Sequence, residues 1–184
     1  MISVDEKYMR MCFALAKKGY GKVAPNPMVG CVVLDRVGNL ISKGYHKKYG
    51  ENHAERDALL KLKNNEAEGG TLYVNLEPCS HFGKTPPCVD LIIKHKLKRV
   101  VIGMKDVNPK VDGITKLKNA GIEVDFVLEE EARFLNRMFI KTMTEKMPYV
   151  VLKTASTMDG KIASKTGSSK WITSETARKE VYRM

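Results

Sequence analysis

A chain of 184 residues, 43% hydrophobic and 29% charged, can bury one substantial core with little left over. No apolar run reaches the roughly 20 residues of a membrane-crossing helix, and the first residues carry no signal-peptide pattern, so no membrane partner and a cytoplasmic location are expected. Net charge is +11, yet the lysines are scattered and aromatic residues make up only 7%, thin for a base-stacking platform. A solvated basic surface that suits a phosphorylated small substrate is expected, rather than a nucleic-acid track.

Ser3 and Glu6 form a capping-box pattern for a first helix with Tyr8, Met9, Cys12, Phe13 and Ala16 on one face. That helix stops near Gly19 and Gly21. Pro25-Asn26-Pro27 then forces an extended turn. Val29 to Leu34 and Leu40 to Tyr45 read as a hairpin joined by Asp35 to Asn39. A short helix is predicted from His53 to Leu62, a strand from Thr71 to Asn75, and a helix from Cys88 to His95. A strand over Arg99 to Gly103, a helix over Asp112 to Ala120 and a strand over Glu123 to Val127 follow. One helix is predicted from Glu129 to about Met143, with acidic residues in its first turn, where the helix dipole favours them. Helices interleaved with about five strands predict an α/β sandwich around a mixed sheet.

Pro148 marks a boundary, dividing the chain into 1–146 and 147–184. Beyond it, Tyr149 to Thr154 reads as a strand, Ser156 to Ser169 as a polar loop, and Thr173-Ser174-Glu175 as a helix start. One strand and one helix cannot enclose a core of their own.

The chemistry concentrates between His53-Ala54-Glu55 and Pro78-Cys79 through Cys88. One imidazole and two thiols can hold a Zn²⁺ tetrahedrally with one corner open, the mark of a catalytic rather than a structural zinc. Glu55, two residues after His53, can stand near that corner and shuttle a proton. A structural zinc would need a fourth ligand, which His81, His46 or Cys31 could supply. Cys12 and Cys31 sit in apolar patterns and read as core residues. Four cysteines, two of them assigned to metal, fit a reducing compartment.

His-x-Glu followed by Pro-Cys and a second Cys is the pattern of the zinc-dependent base deaminases. Within that group, Pro25 to Gly30, Gly44 to His46, His53 to Glu55, Glu77 to Cys88 and Asp106 to Pro109 resemble the riboflavin-biosynthesis deaminase family. The eight residues between Cys79 and Cys88 are the most specific feature, since nucleoside, deoxycytidylate and tRNA deaminases generally show Cys-x-x-Cys there. The resemblance implies a cytidine-deaminase-like three-layer α/β/α sandwich, one Zn²⁺ per chain on His53, Cys79 and Cys88, and Glu55 as proton shuttle. It implies hydrolytic deamination of 2,5-diamino-6-(5-phosphoribosylamino)pyrimidin-4(3H)-one at C2, releasing ammonia.

The same resemblance places Asn26 and His46 against the pyrimidine, His81 and Lys84 near the ribose phosphate, and Asp106 and Asn108 around the pocket. After Pro109 the family commonly runs through a longer glycine-rich turn; here Lys110 to Gly113 is short. Tyr149 to Lys161 and Ser169 to Ser174 resemble the opening of the reductase domain fused to such deaminases. There Ala155 and Trp171 would meet NADPH and Ser169 the substrate. Most of that domain is absent, so NADPH is expected only for a complete reductase and no reductase activity is expected from this chain. Self-association into a homo-oligomer is expected through the unfinished domain. Three other readings stand beside this one: a nucleotide or tRNA-base deaminase, a basic zinc-stabilised nucleic-acid-binding module, and a silent deaminase fold kept for assembly. The complete set of site residues argues against the last.

Overall fold

The computed structural model describes residues 2–63, 65–83 and 86–182. They form two compact units, divided after Pro148.

In the first unit, helix α1 (Val4–Ala16) starts at a Ser3 cap. The Ser3 hydroxyl accepts from the Glu6 amide, and the Glu6 carboxylate accepts from the Ser3 amide. Two backbone donors at the helix start are thereby satisfied. The hairpin β1 (Gly30–Leu34) and β2 (Leu40–Tyr45) follows, its turn pinned by Asp35, whose carboxylate accepts from the Val37 and Asn39 amides. Next come α2 (Ala54–Leu59), β3 (Thr71–Val74), α3 (Cys88–Lys94), β4 (Arg99–Ile102), α4 (Gly113–Asn119) and β5 (Glu123–Phe126). Helices α5 (Glu129–Leu135) and α6 (Arg137–Glu145) complete the unit.

The sheet runs β2-β1-β3-β4-β5. Strand β1 is antiparallel to β2 and β3, whereas β3, β4 and β5 are mutually parallel. All five residues of β1 are buried, which is what helices on both faces of a central strand require. Two glycines show how closely those helices approach. A Cβ on Gly30 would lie 2.1 Å from the Cys12 carbonyl oxygen of α1, and one on Gly44 would lie 2.5 Å from the Ala54 carbonyl oxygen of α2. Gly44 pairs with Cys31, the neighbour of Gly30, so the two contacts fall on opposite faces of the sheet. Helix α5 shares the α1 face, where Arg10 and Glu131 form an ion pair at 3.1 Å. Helices α3 and α4 continue the α2 layer towards β5. The expected three-layer α/β/α sandwich with a mixed five-stranded sheet is what forms.

Two expectations fail locally. The single helix over 129–143 is broken at Asn136, whose φ of −100° and ψ of 18° leave the helical basin. Its side chain is used across the fold instead of on the helix surface. Residues 149–154 form no strand among the described residues, because no neighbouring strand offers them a hydrogen-bonding ladder.

The second unit contains α7 (Glu175–Val181), capped by the Ser174 hydroxyl, which accepts from the Ala177 amide at 3.2 Å. Within it the Arg178 guanidinium lies 3.8 Å from the centre of the Trp171 ring, a cation–π contact.

Candidate metal and active site

The carboxyl ends of the parallel strands β3 and β4 open onto one cavity, the usual place for a ligand in such a sheet. Beyond β3 the chain passes through Asn75, Leu76 and Glu77 to Pro78-Cys79; beyond β4 it reaches Asp106 and Asn108. The two exits stay aligned through Gly103 N–H donating to the Val74 carbonyl at 2.9 Å and Glu77 N–H to the Met104 carbonyl at 2.9 Å. The cavity holds about 330 Å³.

Three donors converge in it. His53 is the extended residue just before α2, so its ring projects beyond the helix start. Cys88 is the first residue of α3, and Cys79 ends the β3 exit. The His53 Nδ1 atom lies 3.4 Å from the Cys79 Sγ and 3.5 Å from the Cys88 Sγ, and the three ligand atoms all lie within 4.8 Å of one another. Typical Zn–N and Zn–S lengths predict a tetrahedral edge of about 3.6 Å between a nitrogen and a sulfur ligand. The donor set fits zinc. Among the described residues no further His, Cys or acidic donor joins it.

None of the three alternatives for a fourth ligand joins the cluster. His81 lines the cavity with its buried Nδ1 free of a hydrogen-bond partner, and the other two are held elsewhere. His46 donates from Nδ1 to the Asn52 carbonyl at 3.0 Å, which leaves its Nε2 to accept from the Asn26 amide group at 3.2 Å. Burial holds its pKa below the ordinary imidazole value, so it is neutral. Cys31 is buried in β1.

The electrostatics favour a cation. Hydrogen bonding from Cys88, opposed by burial and reinforced by His53, holds the Cys79 thiol well below the usual range. The Cys88 amide also donates to the Cys79 Sγ at 3.3 Å. The bond to Cys79, with burial, pushes the Cys88 thiol up. The bond to Cys79 also raises the His53 pKa against the effect of burial, so a metal binding here would displace protons from the cluster. Glu55, 3% exposed, is raised to about 7 by burial and then by the Cys79 charge. A carboxyl poised there can both take and return a proton near neutrality.

Asn26, His46, His81, Asp106 and Asn108 line the same cavity as His53, Glu55 and Cys79. Burial raises the Asp106 pKa, while the bond its carboxylate accepts from the Asn108 amide at 2.8 Å lowers it. The short turn after Pro109 closes through Val111 N–H to the Asn108 carbonyl at 3.0 Å and leads straight into α4. Lys84 lies outside the described residues. In the second unit Ala155 is half-buried, and Ser169 and Trp171 are exposed.

Several residues at the site escape sequence reasoning. Glu77, 3% exposed, accepts from the Asp106 amide and the Ile114 amide, both at 3.1 Å, and so ties the Cys79 segment to the Asp106 loop and the start of α4. The sequence marks it only as the first residue of the Glu77 to Cys88 motif, which gives it no role. Phe139 and Met143 of α6 wall the cavity, though their spacing reads only as an amphipathic face.

The model of the cytidine and deoxycytidylate deaminase zinc-binding region matches residues 2–104. The chain belongs to the cytidine and deoxycytidylate deaminase family. Residues 148–184 match the RibD C-terminal domain. The riboflavin biosynthesis protein RibD of Aquifex aeolicus is 52% identical over 179 residues, 96% of this chain and 50% of that protein. A diaminohydroxyphosphoribosylaminopyrimidine deaminase/5-amino-6-(5-phosphoribosylamino)uracil reductase from Thermotoga maritima superposes with a TM-score of 0.92 at 49% identity, covering 98% of this chain and 52% of that one. Acinetobacter baumannii RibD gives 0.88 at 46% identity, covering 97% and 51%. The chain therefore spans about half the length of these relatives. The fold and the zinc-binding deaminase character expected from the motifs are borne out at the level of this family.

Proposed function

We propose that this chain hydrolyses 2,5-diamino-6-(5-phosphoribosylamino)pyrimidin-4(3H)-one to 5-amino-6-(5-phosphoribosylamino)uracil and ammonia. The observation that carries this reading is the three-donor cluster beside a buried, proton-holding Glu55 in one cavity. Similarity to RibD proteins supports the choice of substrate.

His53, Cys79 and Cys88 hold the zinc, which when bound acts as a Lewis acid that makes water nucleophilic at neutral pH. Glu55 accepts a proton from the attacking water and passes it to the ring and then to the departing amine. The C2–N bond breaks and the C2–O bond takes its place. Asn26 offers its carboxamide to the heterocycle edge, oriented by the neutral His46. Asp106 and Asn108 complete the pocket. His81 and Lys84 serve the ribose phosphate, Lys84 as a point charge. The thiolate ligands suit a reducing compartment such as the cytoplasm.

Residues 149–184 would begin a reductase unit, with Ala155 and Trp171 towards NADPH and Ser169 towards its substrate. Ammonia release from the ribotide, compared with release from deoxycytidylate, tests the substrate assignment. Faster turnover of the ribotide is expected; preference for deoxycytidylate would transfer the site to nucleotide deamination.

A further inference from the structure

Beyond the residues that face the substrate, one buried contact governs where those residues sit. Residues 27–29 precede β1, so no strand partner holds the Met28 peptide. Two side-chain carboxamides do so instead. Asn136 Oδ1 accepts from the Met28 amide at 2.9 Å, and Asn136 Nδ2 donates to the Met28 carbonyl at 3.0 Å. Asn75 Nδ2 donates to the same carbonyl at 2.9 Å, and Asn75 Oδ1 accepts from the Gly30 amide at 2.7 Å. Both lone pairs of the Met28 carbonyl are thus taken. Asn136 is 2% exposed and Asn75 fully buried.

Asn26 lies two residues upstream across Pro27, whose ring fixes φ. Fixing Met28 therefore fixes where the Asn26 carboxamide meets His46. Asn136 also separates α5 from α6, and Phe139 and Met143 follow it at three and seven residues, on one helical face. That face lines the cavity. None of the nine residues of α6 is fully buried; Arg137 to Lys141 are half-buried, with Ile140 packed on the core, and the Asn136 contact anchors the start of the helix.

We propose that Asn136 is a positioning residue: by clamping Met28 together with Asn75, it sets both the Asn26 side chain and the α6 wall of the substrate cavity. This inference rests on the deaminase reading for its kinetic test but not for its structural one. Asn136 has no direct access to the metal ligands, so its loss weakens ground-state binding rather than zinc retention.

The test is a double-mutant cycle with Asn136→Ala and Asn26→Ala, measuring zinc content and ribotide kinetics. Asn136→Ala is expected to keep one zinc per chain and raise KM about tenfold, with kcat changed less than about threefold, the pattern of lost uniform binding. The double variant should lose clearly less than the product of the two single losses, because the Asn26 part of the effect is shared while the α6 part remains. An unchanged KM, or multiplicative losses, overturns the proposal. If Asn136→Ala fails to fold, Asn136→Asp replaces it, keeping the acceptor for the Met28 amide and losing the donor to the Met28 carbonyl. A wild-type chain that releases no ammonia would count against the deaminase reading alone. The clamp is then judged by the Asn26 side-chain amide resonances, which should shift in Asn136→Asp; unmoved resonances refute it.

Discussion

A carboxyl group buried beside two thiols is expensive to keep unless its protonation is used, and Glu55 is such a group. Replacing it by Gln preserves shape and zinc binding but removes the proton carrier. Glu55→Gln should retain one zinc per chain and lose about 10²–10⁴ in kcat, the usual contribution of a positioned acid–base group. Near-normal turnover in a zinc-loaded variant would remove Glu55 from that role. Glu77 offers a contrasting case. Glu77→Gln turns one acceptor into a donor facing a backbone N–H, leaving it unmet at a cost of about 1–3 kcal/mol. Zinc content should hold while KM rises, as the Asp106 loop loosens; kinetics equal to wild type would refute the link. At this scale the sequence was eloquent about the metal set, because soft ligands and a proton carrier have few other uses in that pattern. It was silent about Asn75, Glu77 and Asn136, whose partners are backbone atoms that leave no trace in residue type.

The close approach of single elements decides what the site can tolerate. At Gly44 a Cβ would press on the Ala54 carbonyl and on the Ala58 amide, both at 2.5 Å, and α2 carries Glu55 and follows directly from His53. At Gly30 the collision is with α1, which holds no site residue. Both Gly→Ala changes should destabilise by about 1–3 kcal/mol or more through overpacking. Gly44→Ala alone should also weaken zinc affinity, measured by competition with a chromogenic chelator; equal affinities in the two variants would show that α2 does not set the ligand geometry. The strands and most helices were legible because apolar spacing and turn residues agree locally. The α5–α6 break was not, since the apolar positions around Asn136 continue the helical period and only the distant Met28 peptide explains the interruption. Residues 149–154 have strand-like composition, but a strand needs a partner, which composition cannot supply.

Across the whole first unit, Arg99 joins three elements. Its guanidinium donates to both Asp5 carboxylate oxygens on α1, at 3.0 and 2.8 Å, and to Asp125 on β5 at 2.6 Å, while the Tyr73 hydroxyl on β3 donates to Asp5 at 2.7 Å. Chiefly through Arg99, the Asp5 pKa is lowered from its ordinary value. A lowered carboxylate pKa stabilises the fold above the unfolded value of about 3.9 and loses that contribution as pH falls through the folded value. Asp5→Asn should cost about 1 kcal/mol at neutral pH, and the gap to wild type should close below about pH 3.9. A gap that is constant with pH would deny the pairing.

The central claim is that one zinc site in this cavity performs the hydrolysis. The most direct measurement is ammonia release from the diaminopyrimidinone ribotide by the purified chain, before chelation, after chelation and after zinc is restored. The account predicts release that disappears with the chelator and returns with one zinc per chain bound. Release that persists in zinc-free protein, or its absence from folded, zinc-loaded protein, would contradict it.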